Sequence, residues 1–289
     1  MSENKMWETK KIYAKSLDPI HIGAGGYRLG RVDNTIVRDP STDVPKIPGT
    51  SIAGVVKAFA EIAKKKGEKE TDKKFKDINI EEVFGTKTKK GILRFYDGQI
   101  ILFPVSSMQG TVWITTKDLI EYWFGEIKDE NGEKIKIPDE IGNEAYAIKG
   151  IDTDKPLNLG WLLLKAEKIG ASKEVVLPSE IKNWVKRIVI VSDKLFSNIV
   201  NDNLEIRTSV RIDPTTGTAA EGALFTYEAI PEGTILGFEI CLDRATNEDD
   251  VPDNAMTIIM NAVKPYLKNL GIGGAGTRGF GRIEITISE

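Results

Sequence analysis

A run of glycines near the C-terminus constrains the fold of this 289-residue chain more than any other feature. Residues 271–276 and 274–279 both match G-x-G-x-x-G, a pattern typical of dinucleotide-binding loops. Such a loop follows a strand and opens a helix, whose N-terminus binds the pyrophosphate. Here the apolar pattern predicts a helix over 254–270, before the glycines, and a strand over 282–287, after them. The reversed order argues against a nucleotide-binding fold of that type.

Strand and helix patterns follow one another irregularly along the rest of the chain. Thr50 and Ser51 are both candidate N-caps, and the apolar residues that follow them at helical spacing predict a helix. Alternation on both sides of the turn at 213–217 predicts a hairpin over 206–230. This irregular order favours an α+β fold over a doubly wound sheet. Further strands are predicted at 11–17, 99–105, 110–115, 187–191 and 234–242, and further helices from Asp118 and over 193–200.

Two segments lack a clear period. Residues from about 64 to 95 are rich in lysine, and those from about 125 to 165 are polar with scattered prolines and glycines. We predict a single domain over 1–289 in which both segments are insertions, the first of them a surface insertion or a mobile finger.

Composition excludes several kinds of site. Cys241 is the only cysteine and His21 the only histidine, so disulfides within the chain, cysteine-based zinc fingers and multi-histidine metal sites are excluded. A hard metal held by carboxylates and phosphate remains possible. No apolar run is long enough to span a membrane, which favours a cytoplasmic protein without membrane contact.

The net charge is −3, so any nucleic-acid binding must be local. Seven of the ten arginines fall in three segments, whereas lysines crowd elsewhere. The planar guanidinium suits bidentate phosphate contacts better than the lysine ammonium does. The three segments hold Arg28, Arg31 and Arg38, then Arg207 and Arg211, and finally Arg278 and Arg282.

The N-terminal segment 17–34 combines glycines, His21 and Asp33. Asp33 is a candidate catalytic residue that acts on a proton or holds a metal ion, or it simply caps a turn. His21 is a candidate general acid or base near neutral pH, or a structural residue of its own loop.

Other candidates also have two interpretations. Thr50 and Ser51 create a helix N-terminus that is a natural phosphate seat, whether or not a ligand binds there. Arg207 and Arg211 share one face of the predicted hairpin and either hold RNA backbone or are merely solvated. Phe225 and Tyr227 either stack on bases or pack the hairpin onto the domain. The glycine run is a flexible turn, or its bare backbone at Gly274 and Gly276 packs against RNA phosphate near Arg278.

Taken together, these motifs resemble the RAMP superfamily of CRISPR-associated RNA-binding proteins. The ending helix–GIGGAGTRGFG–strand is similar to the superfamily's glycine-rich loop. The pattern L-x-P-x-H-x-G-x-G at 17–25, V-D-N at 32–34 and P-G-T-S at 48–51 resemble the backbone subunit of type III effector complexes, as does the hairpin with E-A-I-P at 228–231. The segment ILFPVSS at 101–107 and the length favour the Cmr (type III-B) form over the shorter Csm form.

The resemblance implies a ferredoxin-like (RRM-like) palm with insertions and a β-hairpin thumb over about 204–232. It implies a subunit that stacks along a CRISPR guide RNA into a helical filament with other effector subunits, in antiviral defence. Each copy would act as an endoribonuclease that cuts the paired target RNA at regular intervals, using Asp33 and a divalent metal, Mg²⁺ being the expected ion. Glu228 would approach the next subunit's site or form a salt bridge at the hairpin base. One departure concerns the helix start, where Ala53 and Lys57 replace a lysine and an arginine, although Lys57 stays a candidate RNA ligand.

Two other functions fit the same residues. One is a non-catalytic RNA-binding scaffold of a type III-A (Csm) or related complex. The other is a metal-independent ribonuclease that processes guide precursors and uses His21.

Overall fold

A computed structural model describes residues 6–25, 32–66, 73–129, 132–169, 175–213, 215–244, 252 and 254–288. These residues form helices α1 (Gly49–Lys66), α2 (Lys73–Asp77), α3 (Ile80–Phe84), α4 (Lys117–Phe124), α5 (Asp193–Asp202) and α6 (Ala255–Asn269). The strands are β1 (Trp7–Ser16), β2 (Lys46–Ile47), β3 (Leu93–Phe95), β4 (Gly98–Val105), β5 (Val112–Thr115), β6 (Lys128–Asp129), β7 (Ala145–Lys149), β8 (Leu157–Leu159), β9 (Leu162–Leu164), β10 (Ala166–Lys168), β11 (Val175–Val176), β12 (Ile188–Ile190), β13 (Glu205–Ile212), β14 (Ala219–Ala229), β15 (Ile235–Asp243) and β16 (Ile283–Ile287).

One mixed sheet carries most of these strands. Its order is β10-β7-β12-β5-β4-β15-β1-β16, with β2 added to β4 and β3 added to β15. The half formed by β4, β15, β1 and β16 is entirely antiparallel, whereas β12 runs parallel to β5. The chain therefore combines helices with one sheet that contains both pairing directions, which confirms the predicted α+β class.

Both faces of the sheet are buried. Because strand side chains alternate, Ile12 and Ala14 of β1 enter the core beneath the helices, and Tyr13 enters a second core on the opposite face. Helices α1 and α6 cover the first face, where Phe59 stacks on Tyr266 with ring centroids 5.6 Å apart. Within the part of the chain that the structure describes, no helix is both long and apolar enough to cross a membrane.

Helix α1 begins earlier than predicted. Its first residue is Gly49, so Thr50 and Ser51 lie inside the first turn and neither of them is the N-cap. The Asp97 carboxylate accepts a hydrogen bond from the Gly49 backbone N–H at 2.8 Å, and Lys46 pairs with Asp97 at 2.8 Å. An aspartate distant in sequence thus caps the helix, which a search for local capping residues cannot find.

The described parts of the two predicted insertions pack into the body of the protein. Phe75 and Val83 are buried in the core beneath α1 and α6, so the described part of the first insertion is not a mobile finger. The apolar pattern of this segment is hard to recognise in the sequence because lysines occupy the exposed positions between the buried residues. In the second segment β7 pairs with β12, and β10 pairs with β7, so both strands extend the main sheet.

Strands β13 and β14 form a separate two-stranded hairpin, as predicted. Their register places Arg207 opposite Tyr227 and Ser209 opposite Phe225, on one face. The other face carries apolar side chains that are about half exposed: Ile206, Val210, Ile212 and Leu224. Among the described residues, the hydrogen bonds of this hairpin with the segment around Asp33 and with the C-terminal glycine loop lie at its base.

We expect Phe75→Ala to lower the free energy of unfolding by about 3–5 kcal/mol, because it leaves a cavity in a core position that is 1% exposed. Lys76→Ala changes the exposed neighbour and should stay within about 0.5 kcal/mol of the parent protein. Urea unfolding of the three proteins measures both values. Equal stability of all three would show that the first insertion does not belong to the core.

Candidate nucleic-acid interface

Three segments that are distant in sequence meet at the base of the hairpin. Ile20 forms an antiparallel bridge with Ile230, and Asn34 forms a parallel bridge with Tyr227. The Gly274 backbone N–H donates to the His21 carbonyl at 2.8 Å. The N-terminal loop, the hairpin and the C-terminal glycine loop are thereby joined by main-chain hydrogen bonds, which makes their relative positions well defined.

Asp33 lies exposed at this junction and is held by one hairpin residue. Its Oδ2 accepts hydrogen bonds from the Thr226 backbone N–H at 2.8 Å and from the Thr226 hydroxyl at 2.9 Å. These donors, the backbone N–H first, lower the pKa of the Asp33 carboxyl, so the group is ionised at neutral pH. Among the described residues Oδ1 has no hydrogen-bond partner, and it is free to meet a ligand.

His21 connects the hairpin to the C-terminal glycine loop at this junction. It is 7% exposed, and its Nδ1–H donates to the Glu228 carbonyl at 2.7 Å. Its ring meets Tyr227 edge-to-face at 5.5 Å and Phe280 at 6.5 Å. These contacts join the hairpin to the glycine loop through one imidazole, and they favour the structural interpretation of His21.

Glu228 forms the salt bridge at the hairpin base. Its two oxygens accept from Arg38 at 2.6 and 2.9 Å, and Oε2 also accepts from the Ile36 backbone N–H. The two side chains are only 12% and 16% exposed. A bidentate pair shielded from water in this way is stronger than a surface pair. Both carboxylate oxygens of Glu228 therefore serve the attachment of the hairpin.

Two guanidinium groups lie over aromatic rings beside this junction. Arg207 lies 4.9 Å from the centroid of Phe280 and donates to the Gly279 carbonyl at 3.3 Å. Arg278 lies 5.7 Å from the centroid of Tyr227 and donates to the tyrosine hydroxyl at 2.6 Å. Cation–π contact orients each guanidinium, and Arg207 also pairs with Glu205 through Nε at 2.5 Å. The remaining N–H donors are available for phosphate.

The remaining predicted residues lie away from this junction or outside the described residues. Thr50 and Ser51 lie in the first turn of α1, and Lys57 donates to the Gly85 carbonyl at 2.9 Å, at the end of α3. That bond orients Lys57 toward the first insertion. Arg28 and Arg31 are outside the described residues, and Arg211 lies on β13 with its side chain also outside them.

Sequence reasoning missed Thr226 and Phe280 as members of this site. A period-two pattern places Thr226 beside Glu228 on one hairpin face, but nothing in the pattern brings Asp33 to that face. The part of the chain that the structure describes has no group of three or more histidine, cysteine, aspartate or glutamate side chains placed to hold a metal ion. A cation at Asp33 would need water and phosphate as its other ligands, which is a coordination that Mg²⁺ accepts.

Comparison with known proteins identifies the family. The sequence model of the RAMP superfamily matches residues 13–284. The chain belongs to the RAMP superfamily. It is also 30% identical over 292 aligned positions to the CRISPR system Cmr endoribonuclease Cmr4 of Pyrococcus furiosus, covering 95% of this chain and 94% of that protein.

Solved structures share the fold of this RAMP chain. A chain in the cryo-EM structure of type III-B Cmr-beta bound to cognate target RNA superposes with a TM-score of 0.70 at 17% identity, over 97% of both chains. The crystal structure of oligomeric Cmr4 from Pyrococcus furiosus gives 0.62 at 21% identity, over 98% of this chain and 99% of that one. Likeness at these identities concerns the fold.

In this RAMP chain we expect Gly273→Ala to lower the free energy of unfolding by about 1–3 kcal/mol. Gly273 has φ +89°, and an added Cβ would lie 2.6 Å from the His21 carbonyl oxygen. Gly276→Ala is the matched control, since its Cβ would meet nothing closer than the Leu270 carbonyl oxygen at 3.8 Å.

Gly276→Ala should leave stability unchanged or raise it by up to about 1 kcal/mol. Thermal unfolding checks the pair, and equal effects would contradict the assigned loop packing. Any loss of RNA binding in Gly276→Ala would then report on an RNA contact rather than on folding.

Proposed function

We propose that this chain is a backbone subunit of a type III-B CRISPR effector complex that binds guide RNA and cuts the complementary target RNA. The observation that carries the proposal is the exposed Asp33 carboxylate, which Thr226 fixes at the base of a hairpin that also holds the guanidinium groups of Arg207 and Arg278. The 30% identity to a Cmr endoribonuclease along nearly the whole chain supports the same function.

The sheet supports a ferredoxin-like palm. In chain order β1, α1, β4, β15, α6 and β16 form a βαββαβ unit, and the four strands lie in the order β4-β15-β1-β16. We assign the palm to this unit and the thumb to the β13–β14 hairpin. The palm then supplies the rigid base, and the thumb, whose far end extends away from the junction, supplies the element that reaches the RNA.

Local charge explains how a chain of net charge −3 binds RNA. Arg207 and Arg278 present guanidinium donors on one side of the hairpin base, where contacts to phosphate oxygens carry no sequence information. Base pairing between guide and target then supplies the sequence specificity, as in other RNA-guided enzymes. The remaining surface is left for neighbouring subunits.

Chemically, Asp33 is suited to act beside a scissile phosphate. It is ionised at neutral pH, and Oδ2 is held by Thr226, so Oδ1 is the atom available to orient or deprotonate a 2′-hydroxyl, or to hold a cation. A divalent ion, Mg²⁺ in our proposal, would neutralise phosphate charge when bound there with water and phosphate ligands. His21 keeps the loop in place through its carbonyl and its Nδ1–H.

We further propose that copies of the chain stack along the guide as a helical filament with other effector subunits. Structures of an oligomeric Cmr4 and of a Cmr complex bound to target RNA, both with this fold, support the assembly. The half-exposed apolar face of the hairpin supports it too, because it is unusually apolar for a surface that faces only water.

Asp33→Ala in the reconstituted complex should abolish Mg²⁺-dependent cleavage of target RNA and leave guide binding intact, because Thr226 is the hydrogen-bond partner of the carboxylate among the described residues. Asp77→Ala, at an exposed position at the end of α2, is the control and should cut like the parent. Gel analysis of end-labelled target, with and without EDTA, measures both. Cleavage by Asp33→Ala would instead support a scaffold role, with another subunit cutting.

Removal of residues 213–222 and insertion of Asn-Gly, so that Ile212-Asn-Gly forms a three-residue hairpin loop, should blur the spacing of the cuts. The shortened hairpin keeps the pairs from Glu205–Ala229 to Val210–Leu224, so the contact between Asp33 and Thr226 survives while the tip is lost. Sequencing of the product ends measures the spacing. Regular products from the shortened protein would contradict a thumb that sets the interval.

A further inference from the structure

Thr226 forms three hydrogen bonds with Asp33. Its hydroxyl oxygen accepts a hydrogen bond from the Asp33 backbone N–H at 2.9 Å and donates one to Asp33 Oδ2 at 2.9 Å. Its backbone N–H donates a third bond to the same Oδ2 at 2.8 Å. One threonine thus binds both the main chain and the carboxylate of Asp33, the residue to which we assign the cleavage.

We infer that Thr226 is a positioning residue that orients the Asp33 carboxylate and couples the place of the cut to the position of the hairpin. The inference rests on the proposed function, because it concerns the same site. It adds a role for a hairpin residue that need not touch RNA.

The orientation follows from the geometry of the carboxylate. An exposed aspartate in a loop ordinarily samples several rotamers, and χ2 of its carboxyl group is soft. Two donors on Oδ2 fix the side chain, and Oδ1 has no hydrogen-bond partner among the described residues. The hydroxyl contributes by bridging main chain and side chain of Asp33, which a methyl group of the same size cannot do.

The coupling follows from the way the loop is attached. The Asn34 backbone N–H donates to the Thr226 carbonyl at 3.0 Å, and the Glu228 N–H donates to the Asn34 carbonyl at 3.0 Å. The Arg38–Glu228 pair fixes the far end of the same loop. The segment around Asp33 therefore lies along β14 like a short third strand, and it must follow any tilt of the hairpin. A hairpin that shifts along RNA would move Asp33 with it.

Thr226→Val, which is nearly isosteric, tests the inference in the assembled complex. It removes the hydroxyl bonds and keeps the backbone bond. We expect single-turnover cleavage to slow by roughly tenfold to a hundredfold, as for other small misplacements of catalytic groups, and the cut positions to spread. Affinity for guide and target should stay unchanged.

Two further variants make the result specific. Thr226→Ser restores the hydroxyl and should cut within about threefold of the parent at the normal positions. Thr9→Val makes the same chemical change at an exposed position of β1 and should have no effect on rate or position.

Several results would overturn the inference. They are normal cutting by Thr226→Val in a preparation where Asp33→Ala is inactive, equal slowing in Thr226→Ser, or loss of guide binding in Thr226→Val. The first of these leaves the proposed function standing. Cutting by Asp33→Ala would instead reject the proposed function itself.

Discussion

The bidentate ion pair between Glu228 and Arg38 holds the hairpin base against the loop that carries Asp33. Both side chains are largely withdrawn from water; the Glu228 carboxylate pairs with the Arg38 guanidinium, and Arg38 also lies 3.7 Å from Asp43. Removal of Arg38 would leave a poorly solvated carboxylate at the hairpin base and weaken an attachment that the backbone hydrogen bonds of Asn34 with Thr226 and Glu228 also support. The orientation of Asp33, the bonds from Thr226 and the approach of the glycine loop all assume that this attachment is intact.

His21 completes the attachment from the opposite side. Its ring donates to the hairpin at the Glu228 carbonyl, and its own carbonyl accepts from Gly274 in the glycine loop. A single histidine therefore joins the three segments that form the site, and its ring packs against Tyr227 and Phe280. A substitution of His21 that abolished cutting would consequently be no proof of acid–base chemistry, since the same change would disturb the position of every other member.

The palm and the hairpin also have different roles, since the palm is the rigid base and the hairpin extends from it. The palm strands bury side chains on both faces, and the start of the N-terminal loop is held where the Leu17 backbone N–H donates to the Arg282 carbonyl at 2.8 Å. The hairpin, in contrast, exposes much of its apolar face and is fixed at its base. Arg207 and Arg278 lie at that base, where stacking on Phe280 and Tyr227 limits their freedom. Preorganised guanidinium groups bind phosphate with a smaller loss of side-chain entropy.

Local patterns in the sequence determined much of this protein. Alternation predicted β13 and β14, other strand patterns predicted β4 and β15, helical patterns predicted α1, α5 and α6, and the motifs around Asp33 and the glycine loop indicated the family. Local patterns failed where a partner lies far away in sequence. Asp97 caps α1, the lysine-rich segment hides the buried Phe75, and β7 joins the main sheet although its surroundings are polar.

The same contrast between local sequence patterns and long-range contacts applies to the site. The residue types of the site can be recognised in the sequence: one histidine, an aspartate that follows a glycine-rich turn, and arginines clustered in three places. The roles of particular partners depend on the fold, in which Thr226 holds Asp33, Glu228 binds Arg38 and Lys57 turns toward Gly85. Those roles depend on distances between residues that are 28 to 193 positions apart, and no local pattern encodes such distances.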